Sequence, residues 1–267
     1  PNNGTNGNLD AFSGTGDGSV RAFDRDSRSF YLHNAQLNIA RAPTKEMIVG
    51  FNVEVSMGSD ANTFGTLDSN LTDFFDIQEA NVQILSPIGN GLTWTIGKFV
   101  TFAGAEVIES KDNNNYSRSL PFLFAIPFTH TGARATYSFS DMVSATLGVN
   151  NGWNNAVDNN DGKTLEFNLT TLPVKWLKFL VNFYYGAEKD AGATTNNRDD
   201  GDKRMLVDLV LTIQELESLP GFSFGFNYDL GEEEDSALSA TGTVEDAEWT
   251  GMAVYLRYQF NPAWAGA

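Results

Sequence analysis

Apolar residues recur at every second position along most of this chain. Between Gly132 and Lys178, Ala133, Ala135, Tyr137 and Phe139 alternate with Arg134, Thr136 and Ser138. After a turn at Ser140 and Asp141, Val143, Ala145, Leu147 and Val149 alternate with Ser144, Thr146, Gly148 and Asn150. A polar stretch follows, and Leu165, Phe167 and Leu169 then alternate with Glu166, Asn168 and Thr170. Period two predicts strands with two unlike faces. The connections alternate between tight turns and long polar loops. Strands of about ten residues joined in this way are what a transmembrane β-barrel requires.

The same rhythm predicts strands at about 29–41, 49–56, 75–86, 92–97, 176–186, 205–212, 222–229 and 248–260. The fold class expected is therefore all-β: a transmembrane antiparallel up-and-down β-barrel with about eleven strands visible. Polar loops are expected at 58–73, 187–202 and 231–247. A large β-sandwich is the competing arrangement, because its strands also share one apolar face. Two features favour the barrel. The face opposite the apolar one carries Gly, Ser, Thr and Asn with scattered charges, as a lumen would, and tight turns fall on one side with long loops on the other. Aromatic residues gather at the strand ends, as membrane interfaces select. Phe139, Trp176 and Phe260 fall beside tight turns, Trp153, Tyr185, Tyr228 and Trp249 beside long loops, and Trp94 joins the belt set.

Charge and composition narrow the function. The net charge of −17 argues against a nucleic-acid partner, which needs a basic surface. The mean hydropathy is −0.26, and no apolar run reaches the length of a membrane-spanning helix. Neither observation argues against a barrel, which spreads its apolar residues over alternate positions. With no cysteine, disulfides, thiolate metal sites and a Cys nucleophile are excluded. His33 and His130 are the only histidines, and neither has a Ser/Asp partner by spacing, so no enzyme and no cofactor is expected. The GTGDG at Gly14–Gly18 lacks the flanking strand and helix of a nucleotide loop, so it reads as a surface loop. The acidic runs Asp199–Asp202 and Glu232–Asp235, and the run Val157–Gly162, depart from the calcium-loop pattern, and no metal site is expected. Both ends of the chain read as internal. The expectation is one barrel domain over 1–267, truncated at both ends, from a parent of about sixteen strands.

The segment 100–129 is the leading functional candidate. Phe102, Val107, Ile108, Leu120, Phe122, Leu123, Phe124 and Ile126 are too many apolar residues for a freely solvated loop. Folded into the lumen, the loop would form a constriction, with Glu106, Glu109, Lys111, Asp112 and Arg118 acting as an electrostatic filter. The alternative is an extracellular loop with solvated charges. If the apolar face meets lipid, Glu54, Glu79, Arg134, Glu166, Lys178, Asp208, Asp229 and Arg257 point inward. Acids outnumber bases there, which predicts mild cation preference; the alternative is that these charges pair across the wall.

Three central stretches carry a family resemblance: GKFVTFAGAEVIESKDNNNYSRS from Gly97, FAIPFTHTGARATYSFSD from Phe124, and LGVNNGWNNAVDNNDGKT from Leu147. Together with Phe23–Pro43, Gly58–Asn62, DKRMLVDLVLT and FNYDLGEEE, they resemble the OmpL-like β-barrel porin family of Gram-negative outer membranes. The resemblance implies an integral outer-membrane barrel acting as a passive diffusion channel for small hydrophilic solutes. It implies the bilayer and outer-leaflet lipids as partners and, by analogy with porins, a trimer. Two rivals are a non-conducting structural barrel or sheath for a partner protein, and a soluble exported β-sandwich that binds carbohydrate.

Overall fold

The structure, a computed structural model, describes residues 23, 30–64, 75–189, 201–214, 216–238 and 244–267. The GTGDG stretch, Asp199 and Asp200 lie outside these residues. The alternating segments form twelve strands in one sheet, in the order β1 to β12, with neighbours antiparallel. They are β1 (Ala35–Arg41), β2 (Val49–Met57), β3 (Phe75–Ser86), β4 (Leu92–Val100), β5 (Thr129–Ser140), β6 (Val143–Asn150), β7 (Thr164–Val174), β8 (Leu177–Gly186), β9 (Arg204–Ile213), β10 (Phe222–Leu238), β11 (Val244–Asn261) and β12 (Trp264–Gly266). Among the described residues β1 and β12 are the edges of the sheet. Among the described residues no second sheet stacks on it, so the sandwich alternative is not the arrangement found.

The structure departs from the periodicity reading in several places, the first being β1, which begins at Ala35 where the reading started the strand at 29. β12 has only three residues, too few for any alternation to register. The acidic stretch expected as a loop at 231–247 is mostly strand, with Glu232 opposite Glu248 and Glu233 opposite Ala247, and a bulge before Ala237. Charge density reads as loop in a sequence, but here the ladder satisfies the peptides, Glu234 and Asp235 reach solvent, and Glu233 is buried against Arg204. In β3, a bulge opposite Glu54/Val55 shifts the parity, so Asp76 and Gln78 are buried in addition to Asn81.

Burial is inverted relative to a water-soluble sheet. Asn150, Glu166, Asn168, Asn182, Asp208, Asn227 and Asp229 are all at most 3% exposed. Their outward neighbours Leu147, Leu165, Met252 and Val254 are 66%, 54%, 64% and 54% exposed. Apolar side chains facing out and polar ones facing in suit a hydrocarbon surround.

The sheet curls around its polar face. Glu106, in the β4–β5 connection, accepts a hydrogen bond from the Tyr255 hydroxyl of β11 (2.9 Å), and Glu109 accepts one from Gln36 of β1 (3.3 Å). In a flat sheet, ten spacings of about 4.8 Å would put β1 and β11 about 48 Å apart. Three residues of chain span at most about 11 Å. Only a strongly curved sheet brings both strands within reach of one short segment.

Candidate functional site: the loop across the polar face

The chain leaves β4 at Val100 and runs over the polar face until β5 begins at Thr129. One end of this loop is tied to β8, β9 and β10. The Tyr184 hydroxyl hydrogen-bonds Thr101 Oγ1 (2.9 Å) and accepts the Phe102 N–H (3.2 Å). Asn182 Nδ2 donates to the Phe102 carbonyl (2.9 Å). Asp208 Oδ1 accepts the Gly104 N–H (3.0 Å), and Asn227 Oδ1 accepts the Ala105 N–H (3.1 Å). Asn182 and Asn227 also donate to the two oxygens of Asp208, each at 2.6 Å. A glycine is needed at 104: its φ is +91°, and a Cβ there would lie 2.5 Å from Ile126 Cδ1.

The neck of the loop is closed by Glu106. Its Oε2 accepts the Ser119 N–H (2.8 Å), the Ser119 hydroxyl and the Tyr255 hydroxyl. Ser119 in turn caps a short helix, α1 (Leu120–Phe124), which has Pro121 in its first turn. Trp249 Nε1 donates to the Ala125 carbonyl (3.2 Å), and Asn154 Oδ1 accepts the N–H groups of Phe128 and Thr129 (2.7 and 3.1 Å). The loop's apolar residues Ile108, Phe122, Leu123, Ile126 and Phe128 form one cluster with Tyr184 and Leu206 of the wall.

The charges expected in the loop divide into two groups. Arg118 does not stand open as a filter charge. It is buried, donates to the carbonyls of Ile108 and Tyr116, lies over the Phe23 ring and comes within 3.9 Å of Asp60. Burial lowers its pKa and raises that of Asp60, while each charge opposes the shift on the other. Glu106 borders both cavities beside the loop, but one of its oxygens holds the neck. Glu109 faces β1 and β3, and Lys111 is exposed and paired with Asp112.

Of the wall charges, Arg134 donates to the Val100 carbonyl (3.1 Å) and lies 3.5 Å from Glu166, with its guanidinium about 4 Å from the rings of Phe99 and Phe102. Lys98 pairs with Asp76 at 3.0 Å. Lys178 shares the inward parity of Asn182 but is exposed beside the tight turn. Pairing across the wall thus occurs for some charges. Glu54 and Glu79, opposite each other in the ladder, bond instead to the neutral amides Asn38, Gln36 and Asn81.

The loop leaves open space on both sides. A cavity of about 580 Å³ lies between it and β1–β3, bordered by Glu54, Glu79, Glu106, Glu109 and Asp112 with Lys111 the one basic group. A second, of about 180 Å³, lies toward β9–β11 and contains Gln214 and Tyr255.

The aromatic positions divide as well. Trp94, Phe139, Trp176, Phe260 and Tyr185 are exposed on the outer surface, and Tyr228 shares their outward parity. Trp153 and Trp249 are corrections to the belt. They meet edge to face on the loop side, where Arg204 lies over Trp153 and Trp249 bonds the loop, so they brace the loops. Trp249 follows the inward parity of Tyr255, which its nearness to a strand end conceals in a sequence. Tyr184, Gln36, Gln78 and Tyr255 are site residues that sequence reasoning did not single out. Tyr184 and Tyr255 do sit at polar-face positions, where an aromatic residue needs a partner inside.

The three acidic runs are braced by protein groups. Asp158 accepts the N–H groups of Asn160 and Asp161 at 3.0 Å and pairs with Lys163. Glu233 pairs with Arg204 (2.8 Å) and Asp202 with Lys189 (2.5 Å).

An inverted, curled antiparallel sheet with a loop laid across its polar face is the architecture of a porin, and the family comparison agrees over nearly the whole chain. The family described as "Putative beta-barrel porin-2, OmpL-like" matches residues 2–267. The chain belongs to this porin family. A comparison with individual curated proteins gives no match. Family membership accounts for the two-sided strands and fits an outer-membrane, porin-like protein. Among the described residues no helix is long and apolar enough to cross a membrane, and a barrel crosses with strands.

Proposed function

We propose that this porin is a passive diffusion channel in the outer membrane of a Gram-negative bacterium, admitting small hydrophilic solutes with mild preference for cations. The reading rests chiefly on the inversion of burial: hydrogen-bonded polar side chains line the inside of a curled sheet whose outside is apolar. No chemical step is involved. Water and solute pass beside the loop 101–128, whose width and fixed charge select what passes. The acids Glu54, Glu79, Glu109 and Asp112 against Lys111 on the wider side support cation preference. The outer surface is wetted by lipid, and by analogy the protein assembles as a trimer.

Reconstitution into planar bilayers tests this. We expect discrete conductance steps in KCl and, under a salt gradient, a reversal potential displaced toward that of K⁺. Steps with a reversal displaced toward Cl⁻ would refute the cation preference alone. The apolar cluster that fastens the loop to Leu206 and Tyr184 favours one second reading, a non-conducting barrel or sheath. Bilayers that stay silent with correctly folded protein would establish it.

A further inference from the structure

The larger cavity has an unbalanced hydrogen-bond inventory. At its β1–β3 wall, four acceptors converge on the single side-chain nitrogen of Gln36: Glu54 Oε1 at 3.0 Å, Ser56 Oγ at 3.2 Å, Gln78 Oε1 at 3.1 Å and Glu109 Oε1 at 3.3 Å. An amide nitrogen has two hydrogens, so it serves two of these oxygens at a time. The nearby donors are also neutral: Asn38 Nδ2 bonds Glu54 Oε2 at 2.6 Å, and Gln78 Nε2 bonds Glu109. Among the described residues no Lys or Arg lies within ion-pair distance of Glu54, Glu79 or Glu109. The wall therefore has surplus acceptors. Arg134 and Lys98 act on Glu79, and Lys111 on Glu54 and Glu109, only through longer-range attraction, so no cationic N–H donor bonds these carboxylates directly.

The loop side of the same cavity carries, beside Glu106, Lys111 and Asp112, an apolar patch: Phe102, Val107, Ile108, Phe122 and Phe128 border it. A hydrated metal ion gains nothing from such a wall, whereas an apolar body does.

We propose that this cavity is a binding subsite for organic monocations, molecules with an ammonium or guanidinium head and a small apolar body. The head supplies the missing N–H donors to Glu54, Glu79 and Glu109, and the body packs against the phenylalanine wall. At about 580 Å³ the cavity has room for a molecule of this kind. The assignment deepens the channel reading and rests on it for its biological meaning, but binding can be measured apart from conduction.

The test uses the intact protein and phenethylammonium chloride. In planar bilayers, millimolar phenethylammonium should block the K⁺ current in a voltage-dependent way, while 2-phenylethanol and benzoate at equal concentration should not. Glu109→Gln and Glu79→Gln should each weaken block about tenfold relative to that variant's own open current. Calorimetry in detergent reads binding alone and should show the same order. If bilayers are silent but calorimetry detects phenethylammonium binding that Glu109→Gln weakens, the channel reading fails and the subsite stands. If K⁺ current flows but the amine neither blocks nor binds, or 2-phenylethanol matches it, the subsite is overturned and the channel stands.

Discussion

At the scale of single residues, the polar face works by saturation. Asp208 is fully buried, yet its carboxylate accepts from Gly104, Asn182 and Asn227. Tyr184 plays the same part with Thr101 and Phe102. Tyr184→Phe keeps the ring and removes the hydroxyl, leaving a loop N–H unpaired. The expected cost is about 1–3 kcal/mol, read as a lower unfolding midpoint, together with larger current fluctuations as the loop loosens. Glu188, just beyond β8, makes a pH prediction. It is buried, holds the Trp153 N–H (2.8 Å) and Thr164, and burial raises its pKa above the ordinary 4.5. The folded state thus binds its proton more tightly than the unfolded chain does. Its contribution to stability is present in full below about 4.5 and is lost as pH rises through the higher folded value. Glu188→Gln should flatten that part of the stability–pH curve in denaturant titrations between pH 4.5 and 8. An unchanged slope would contradict the burial argument.

At the scale of elements, the connection between β4 and β5 is the unit that differs from a plain hairpin. Both its ends are fixed to the wall, and Glu106 and Ser119 meet at its neck. Residues 107–118 can therefore be replaced by a short glycine linker without separating the anchors. That deletion removes Glu109, Lys111, Asp112 and Arg118 together. It should raise unitary conductance severalfold and reduce the preference for K⁺, both visible in one bilayer recording. How much of this loop was legible from sequence follows from its composition. Its apolar residues and length made an inward course the leading candidate, because such a segment is poorly soluble on its own, with an extracellular loop as the alternative. Its anchors were not legible. Glu106 and Arg118 look like filter charges in sequence, and only contact with Tyr255, Ser119 and the Ile108 carbonyl turns them into fasteners.

At the scale of the whole molecule, one face of the sheet is apolar and the other polar. Leu147 and Thr146 are neighbours in β6 on opposite faces, 66% and 2% exposed. If the outer face lies in hydrocarbon, Leu147→Arg should destabilise the bilayer-folded protein by about 2–4 kcal/mol, measured by urea titration in lipid vesicles. Val174→Arg, at the strand end beside the tight turn, should cost much less because the charge reaches the interface. Equal effects at the two positions would contradict a lipid-facing surface.

The order of residues along the chain was enough to determine the strand class, the two faces and the side on which tight turns fall, and it singled out the long loop without deciding between an inward and an extracellular course. Each of these follows from local periodicity and from the insolubility of exposed apolar side chains, so no distant contact is needed to see it. Only the tertiary structure decided which polar residues meet. The bulge in β3 brought Asp76 and Gln78 inside, the curl of the sheet set β1 and β11 around one loop, and Trp153 and Trp249 turned toward the loops. Those outcomes depend on register and curvature, which are set by the ladders between neighbouring strands, accumulate over the whole sheet and leave no mark on the spacing of neighbours.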